Sequence, residues 1–312
     1  MLFLGIVAFV LASGCYRSSE PNATSLSPPA KECRVIAHTM GKTCVPKNSQ
    51  RFVTISQFTL GNALVLGVKP IGSTSDGWDD DFPDYLKNKA EGIQKIGSQY
   101  EPNLESILRL KPDLILGWQY VKTIYPRLTQ ISPTALGAWQ GTPSWREHFN
   151  FIAEALGKKE IAQQAWDNYY KRIEELKIAL SSQYQNKTIS VIHINGSEIQ
   201  SSAKNSFIGS ILDDIGLQRP KVQNVVTPSG WTESISEEKL EEFDGDILFV
   251  TTFDNRDKEN FKKLQQKPLW KTLKAVQQGH VYSVDIWPWI GSNLIAANAV
   301  IDDLYKYLIN TP

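Results

Sequence analysis

An α/β fold of two similar lobes, each with a mostly parallel central sheet flanked by helices and joined by one long helix, is predicted by three features of the 312-residue sequence. The first is a unit used twice, NLESILRLKPDLIL from Asn103 to Leu116 and SEEKLEEFDGDILF from Ser236 to Phe249. In each copy a small polar residue precedes a glutamate by two, and an aspartate eight residues after that glutamate opens an apolar run. Glu105 thus stands to Asp113 as Glu238 stands to Asp246. The pattern is that of a helix capped by Asn103 or Ser236, a turn, and a buried strand. The second feature is alternation of short strand-like runs with helical ones in both halves, which implies parallel strands joined by right-handed crossovers. The third is Ser144 to Ser182, where apolar residues recur at helical spacing and no Gly- or Pro-rich linker intervenes.

At the start, residues 1–14 carry no charge, and Leu2 to Ala12 are apolar before Ser13, Gly14 and Cys15. Eleven apolar residues are too few to span a bilayer. The segment resembles a bacterial lipoprotein signal, which would make Cys15 the lipidated first residue of the mature chain, followed by a flexible tether over 15–32. A buried terminal strand or helix is the alternative. Cys33 and Cys44 flank RVIAHTMGKT, two strand-like runs whose hairpin brings the sulfurs together, and an oxidising compartment makes a disulfide the expected outcome. Metal ligation with His38 is the weaker alternative, since zinc sites use three or four protein ligands.

The first lobe is expected over 33–142. Arg51 to Ile55 reads as a strand, Leu60 to Leu66 as a helix stopped by Gly67, Val68 to Gly72 as another strand, and Asp76 to Asp84 as an acidic loop carrying Trp78. Lys95-Ile96-Gly97 then leads into the first repeated unit. A helical linker region covers 143–182, interrupted at Gly157, and the second lobe 183–312. There Thr188 to Ile194 and Ile247 to Thr251 read as strands, and Phe207 to Ile215 as a helix closed by Gly216. Val281 to Val284 is a further strand, IWPWIG a loop, and Leu294 to Leu308 a final amphipathic helix.

Lys plus Arg equals Asp plus Glu at 33 each, so no global field attracts nucleic acid or an anionic membrane. The sequence has no phosphate-binding glycine loop and no nucleophile elbow, and its adjacent acids fall on solvated faces. The four histidines, His38, His148, His193 and His280, lie in separate segments without metal-ligand spacing and read as packing or surface residues. Aromatics at strand ends carry more information. Trp118, Tyr120, Trp231, Trp287 and Trp289 stand where ligands bind in open α/β sheets, beyond the carboxyl ends of strands. A glutamate in a first helical turn is favoured by the helix dipole wherever it occurs, so only the repetition singles out Glu105 and Glu238.

Four segments, RFVTISQFTLGNALVLGVKPIG, EPNLESILRLKPDLIL, SISEEKLEEFDGDILFV and PLWKTLKAVQQGHVYSVD, together resemble the periplasmic substrate-binding proteins of iron-siderophore ABC importers. That helix-linked, two-lobed family also includes vitamin B12 and haem binders. The resemblance covers about Cys33 to Leu308 and implies a ligand held between lobes, no catalysis, and no cofactor or metal beyond iron inside a bound ferric siderophore. Trp78, Trp118, Tyr120, Trp231, Trp287 and Trp289 would wall the ligand, with Gln99 and Asn205 as hydrogen-bonding groups. Where hydroxamate-siderophore binders carry an arginine two positions before Glu-Pro-Asn, this chain has Gln99, which leaves the siderophore class open. Glu105 and Glu238 match the glutamates that dock onto an ABC transporter permease. The expected protein is a monomer, periplasmic or at the cell surface, touching membrane only through its lipid. A B12 or haem binder, a hydrolase on a similar scaffold, and direct capture of zinc or manganese are the rivals.

Overall fold

In a computed structural model that describes residues 33–75, 81–141, 144–184 and 186–310, the chain opens with an antiparallel hairpin. Its strands are β1 (Cys33–His38) and β2 (Gly41–Pro46), and Cys33 is disulfide-bonded to Cys44 with Cα atoms 5.4 Å apart. Residues 1–32, and with them Cys15, lie outside the described residues, as does Trp78.

The first lobe comes next. Its strands are β3 (Phe52–Ile55), β4 (Gly72–Ser75), β5 (Gln94–Ser98), β6 (Leu114–Trp118) and β7 (Thr134–Gly137), in the order β5-β4-β3-β6-β7 and all parallel. Helices α1 (Gln57–Val65), α2 (Asp84–Ala90), α3 (Leu104–Leu110) and α4 (Tyr125–Thr129) make the crossovers. The strands read as apolar or small runs because both faces are covered. Val68 to Gly72, expected as a strand, is irregular up to Ile71. Pro70 has no N–H to offer a ladder, and pairing begins at Gly72, where a Cβ would lie 2.6 Å from the Leu110 side chain of α3.

The connection is helical. Helix α5 (Trp145–Leu156) ends at Gly157 in the left-handed region, φ 66°, and α6 (Lys159–Leu180) runs for 22 residues to the second lobe. Asp214 binds this connection to the second lobe, accepting 2.6 Å bonds from Arg146 of α5 and from the Tyr169 hydroxyl of α6.

In the second lobe β8 (Ile189–Asn195), β9 (Glu198–Gln200), β10 (Ile247–Thr252) and β11 (Val281–Asp285) are ordered β11-β10-β8-β9, with only β9 antiparallel. Around them lie α7 (Phe207–Ile215), α8 (Asn255–Gln265), α9 (Pro268–Thr272), α10 (Lys274–Gln277), α11 (Ile286–Ile290) and α12 (Leu294–Leu304). Helix α12 packs on α6 and also on α1 and α2 of the first lobe. One hydrophobic core therefore runs through both lobes, from Trp118 and Phe149 to Phe207, Phe249 and Trp289.

The repeated unit has a structural basis. Asp113 accepts the backbone N–H groups of Gln50 at 2.8 Å and Arg51 at 3.1 Å, just ahead of β3. Asp246 accepts Thr188 N at 2.9 Å, just ahead of β8. In both lobes this aspartate pins the neighbouring strand's entry, and its own N–H returns a bond, to Arg51 O or Thr188 O. The preceding helices differ. Asn103 caps α3 by accepting Ser106 N at 2.9 Å, whereas Ser236 makes no such bond and Glu237–Phe243 is wound as a 3₁₀ helix. The second expected cap is thus corrected.

Candidate functional site

The carboxyl ends of the first lobe's strands carry an aromatic cluster. Trp118, the last residue of β6, stacks on Tyr120 with centroids 5.3 Å apart and meets Trp139, two residues beyond β7, edge to face at 5.3 Å. Phe58, at the start of α1, lies parallel to Trp139 at 5.0 Å, and Tyr100, beyond β5, meets Tyr120 at 5.4 Å. Trp118 is buried, while Tyr120 and Tyr100 are more than half exposed, so the cluster presents two tyrosine rings over a rigid base. Phe58, Tyr100 and Trp139 were not singled out by the sequence. Position just past a strand end was the usable signal, but β7 is a four-residue TALG with no period to announce it.

The second lobe answers from two sides. Trp231 packs edge-on against His193 at 4.9 Å, and its loop reaches the first lobe, since a Cβ on Gly141 would stand 2.3 Å from Ser229 O. Asn205 is committed to this loop, donating to Thr227 O at 2.8 Å and accepting Thr227 N at 3.1 Å, so it positions Trp231's segment rather than offering a free amide. On the other side a cavity of about 750 Å³ opens between the lobes. Phe82, Pro83 and Lys87 line it from the first lobe; Phe253, Lys258 and Trp287 from the second.

The two tryptophans of IWPWIG part company. The segment is a helical turn, not a loop: Asp285 caps it by accepting Trp287 N at 3.1 Å, and Pro288 sits in the first turn, where its missing N–H costs no hydrogen bond. Trp287 consequently faces the cavity, and Trp289 turns inward, fully buried at 4.7 Å from Phe249 and donating to Asp303 at 2.8 Å. This placement removes Trp289 from the ligand wall. Gln99 is buried beside the aromatic cluster's strand ends, and its side-chain oxygen has no hydrogen-bond partner among the described residues.

Charge in the cavity is mixed. Lys87 pairs with Asp84 at 2.6 Å, and the Asp285 carboxyl is pushed above its ordinary range, first by burial and then by Asp84 facing it from the other lobe. Beneath Trp231, burial holds His193 down at about 3, with Arg219 adding to the effect, and its ring bonds Thr251 Oγ1 at 2.7 Å and Ser202 Oγ at 2.8 Å. His148 is likewise held at about 3 by burial and meets Thr59 Oγ1 at 3.0 Å. No group of three His, Cys, Asp or Glu among the described residues is placed to hold a metal ion. Glu105 is exposed and pairs with Arg109 at 2.7 Å, and Glu238 is exposed on the 3₁₀ turn.

Two parallel-sheet lobes, one long connecting helix and an aromatic-walled cleft define a solute-binding protein of the helix-linked type. The chain belongs to the periplasmic binding protein family, whose model matches residues 53–286. It is similar to the probable siderophore-binding lipoprotein YfiY of Bacillus subtilis (strain 168), 34% identical over an alignment of 324 positions, gaps included, that covers 100% of this chain and 98% of that relative. Among solved structures it is similar to Staphylococcus aureus SirA complexed with staphyloferrin B, with TM-score 0.78 and 26% identity over 88% of this chain and 98% of that one. It is also similar to the triscatecholate siderophore binding protein FeuA from Bacillus subtilis complexed with Ferri-Bacillibactin, with TM-score 0.74 and 26% identity over 89% and 99% of the two chains.

Proposed function

We propose that this protein captures a ferric siderophore between its lobes outside the cytoplasm and delivers it to an ABC importer. The observation that carries the reading is the cavity of about 750 Å³ between the lobes, with Phe82, Phe253 and Trp287 in its wall, together with the strand-end aromatics Trp118, Tyr120 and Trp139 on one lobe and Trp231 on the other. A cavity of that size suits a compact chelate, and flat rings suit its apolar flanks. Relatives named for siderophore binding support the same ligand class. Iron is cargo here, enclosed by its chelator.

Glu105 and Glu238 would be the permease-docking charges, displayed in equivalent units of the two lobes, and neither would touch ligand. Cys15 would carry the lipid that holds the protein at the membrane. Tryptophan-fluorescence titration with ferric siderophores, cobalamin and haem tests the proposal. Saturable quenching by at least one ferric siderophore is expected, and a response confined to cobalamin or haem would refute it.

A further inference from the structure

The first lobe's sheet ends in a row of residues and, one step beyond it, a row of amides. The registers Ile55↔Gly117, Ser75↔Ser98 and Trp118↔Gly137 align Ser98, Ser75, Ser56, Trp118 and Gly137 along the carboxyl-terminal edge. Gln57, Gln99 and Gln119 lie just past β3, β5 and β6. Gln119 is tied down, its amide donating to the Trp139 carbonyl. The side-chain oxygens of Gln57 and Gln99, only 2% and 4% exposed as residues, have no hydrogen-bond partner among the described residues. Two further buried atoms near the ends of the strands flanking β3, Trp118 Nε1 in β6 and Thr74 Oγ1 in β4, share that condition.

Buried polar atoms are nearly always paired, because stripping water from them without replacement is costly. Four unpaired together are therefore informative, and their place is more so. Strand β3 lies between β4 and β6, so this corner is the topological switch point of the sheet, where open α/β sheets bind ligands. The backbone there is also held away from its easy conformations. Ser56 is fully buried at φ 149°, in a region that favours glycine, and fixes the start of α1 by accepting Thr59 N at 3.1 Å.

We propose that Gln57, just past β3, and Thr74, near the end of the adjacent β4, are hydrogen-bonding groups of the ligand site that recognise an uncharged N–H or O–H donor on the chelator's organic periphery. The proposal rests on the reading of function above. An amide oxygen accepts and cannot pair with the iron-bound oxygens, which carry no hydrogen, so the contact selects the chelator's backbone rather than its metal-binding groups. Trp118 Nε1 supplies the complementary donor one strand away.

Gln57→Leu and Thr74→Val test this with three probes, iron(III)–citrate, one ferric catecholate and one ferric hydroxamate, read by tryptophan quenching beside thermal unfolding of the ligand-free proteins. For the probe that the wild type binds best, Gln57→Leu is expected to bind roughly tenfold to hundredfold more weakly. Both ligand-free variants should unfold at the wild-type temperature or above it, because an unpaired polar atom has been replaced by an apolar group of similar shape. Unchanged affinity, or a lowered unfolding temperature in both variants, overturns the proposal. If the wild type binds none of the probes, the functional reading fails. The unfolding temperatures then decide alone: a lowered value shows that these groups are already paired within the protein and overturns the siting.

Discussion

Trp287 and Trp289 sit two residues apart on one helical turn, and their surroundings give them opposite work. Replacing Trp289 by Phe keeps a ring against Phe249 but removes the N–H donated to Asp303 at 2.8 Å, leaving a half-buried carboxyl without that donor. Loss of a hydrogen bond to a charged group costs about 1.5–3 kcal/mol, and the smaller ring leaves a void that adds about 1 kcal/mol. Trp289→Phe should therefore lose about 2.5–4 kcal/mol in urea unfolding, with ligand affinity of the folded fraction unchanged. Trp287 is half-buried and its ring reaches the interlobe cavity. Trp287→Leu should change stability by less than about 1 kcal/mol, while ferric-siderophore affinity falls by about tenfold and the quenching amplitude shrinks. The reasoning fails if the two phenotypes are exchanged, with Trp289→Phe losing affinity at full stability or Trp287→Leu unfolding the protein.

The double change Glu105→Ala/Glu238→Ala should leave siderophore affinity within about twofold and abolish import, each single change being partial because exposed ion pairs are worth roughly 0–1 kcal/mol; normal import by the double variant would return both residues to the helix-dipole explanation. His148 and His193, held at about 3 by burial, make the fold sensitive to acid. Their contribution is full above the unfolded value near 6.5 and is lost as pH falls below it, at about 1.4 kcal/mol per pH unit for each. Unfolding temperature should thus drop between pH 7 and 5 and drop less steeply in His193→Gln; parallel slopes would contradict this. Reducing Cys33–Cys44, 11 residues apart, should cost about 2–3 kcal/mol or less without loss of quenching, because neither cysteine lines the cavity or joins the aromatic cluster. Cys15→Ala should move the protein from detergent phase to aqueous phase, and equal partitioning of variant and wild type would remove the anchor.

Much of the fold was legible because the relevant signals are local. Phe207–Ile215 begins at Ser206, which accepts Gly209 N, and ends at Gly216 with φ 82°, both readable from the sequence. Helices α2 and α8 were not, since α2 has only seven residues and α8 is so rich in Lys, Asn and other polar residues that its buried Phe261 and Leu264 make a thin apolar stripe. Of the site, Trp118 and Tyr120 could be found by looking just past the end of an apolar strand. Trp139 and Gln57 could not, the first because β7 has no pattern, the second because its unpaired oxygen is a property of neighbours brought from β4, β5 and β6. Trp289 misled for a related reason: a proline between two tryptophans suggests a loop until Asp285 is seen to cap a turn.

Helix α12 has a consequence for folding. Helix α12 lays its apolar face on α1 and α2, and Asn293 at its start sits in a notch at Gly61, where a Cβ would come within 2.5 Å, and bonds Tyr85 at 3.0 Å. The first lobe is thus closed in part by a helix whose Asn293 lies 208 residues beyond its partner Tyr85. The faces of α1 and α2 that meet α12 stay uncovered until Leu294–Leu304 is in place, even with α1 already packed on α5. Closure of the first lobe is thereby tied to folding of the second, which makes the two lobes one cooperative unit rather than two independent ones.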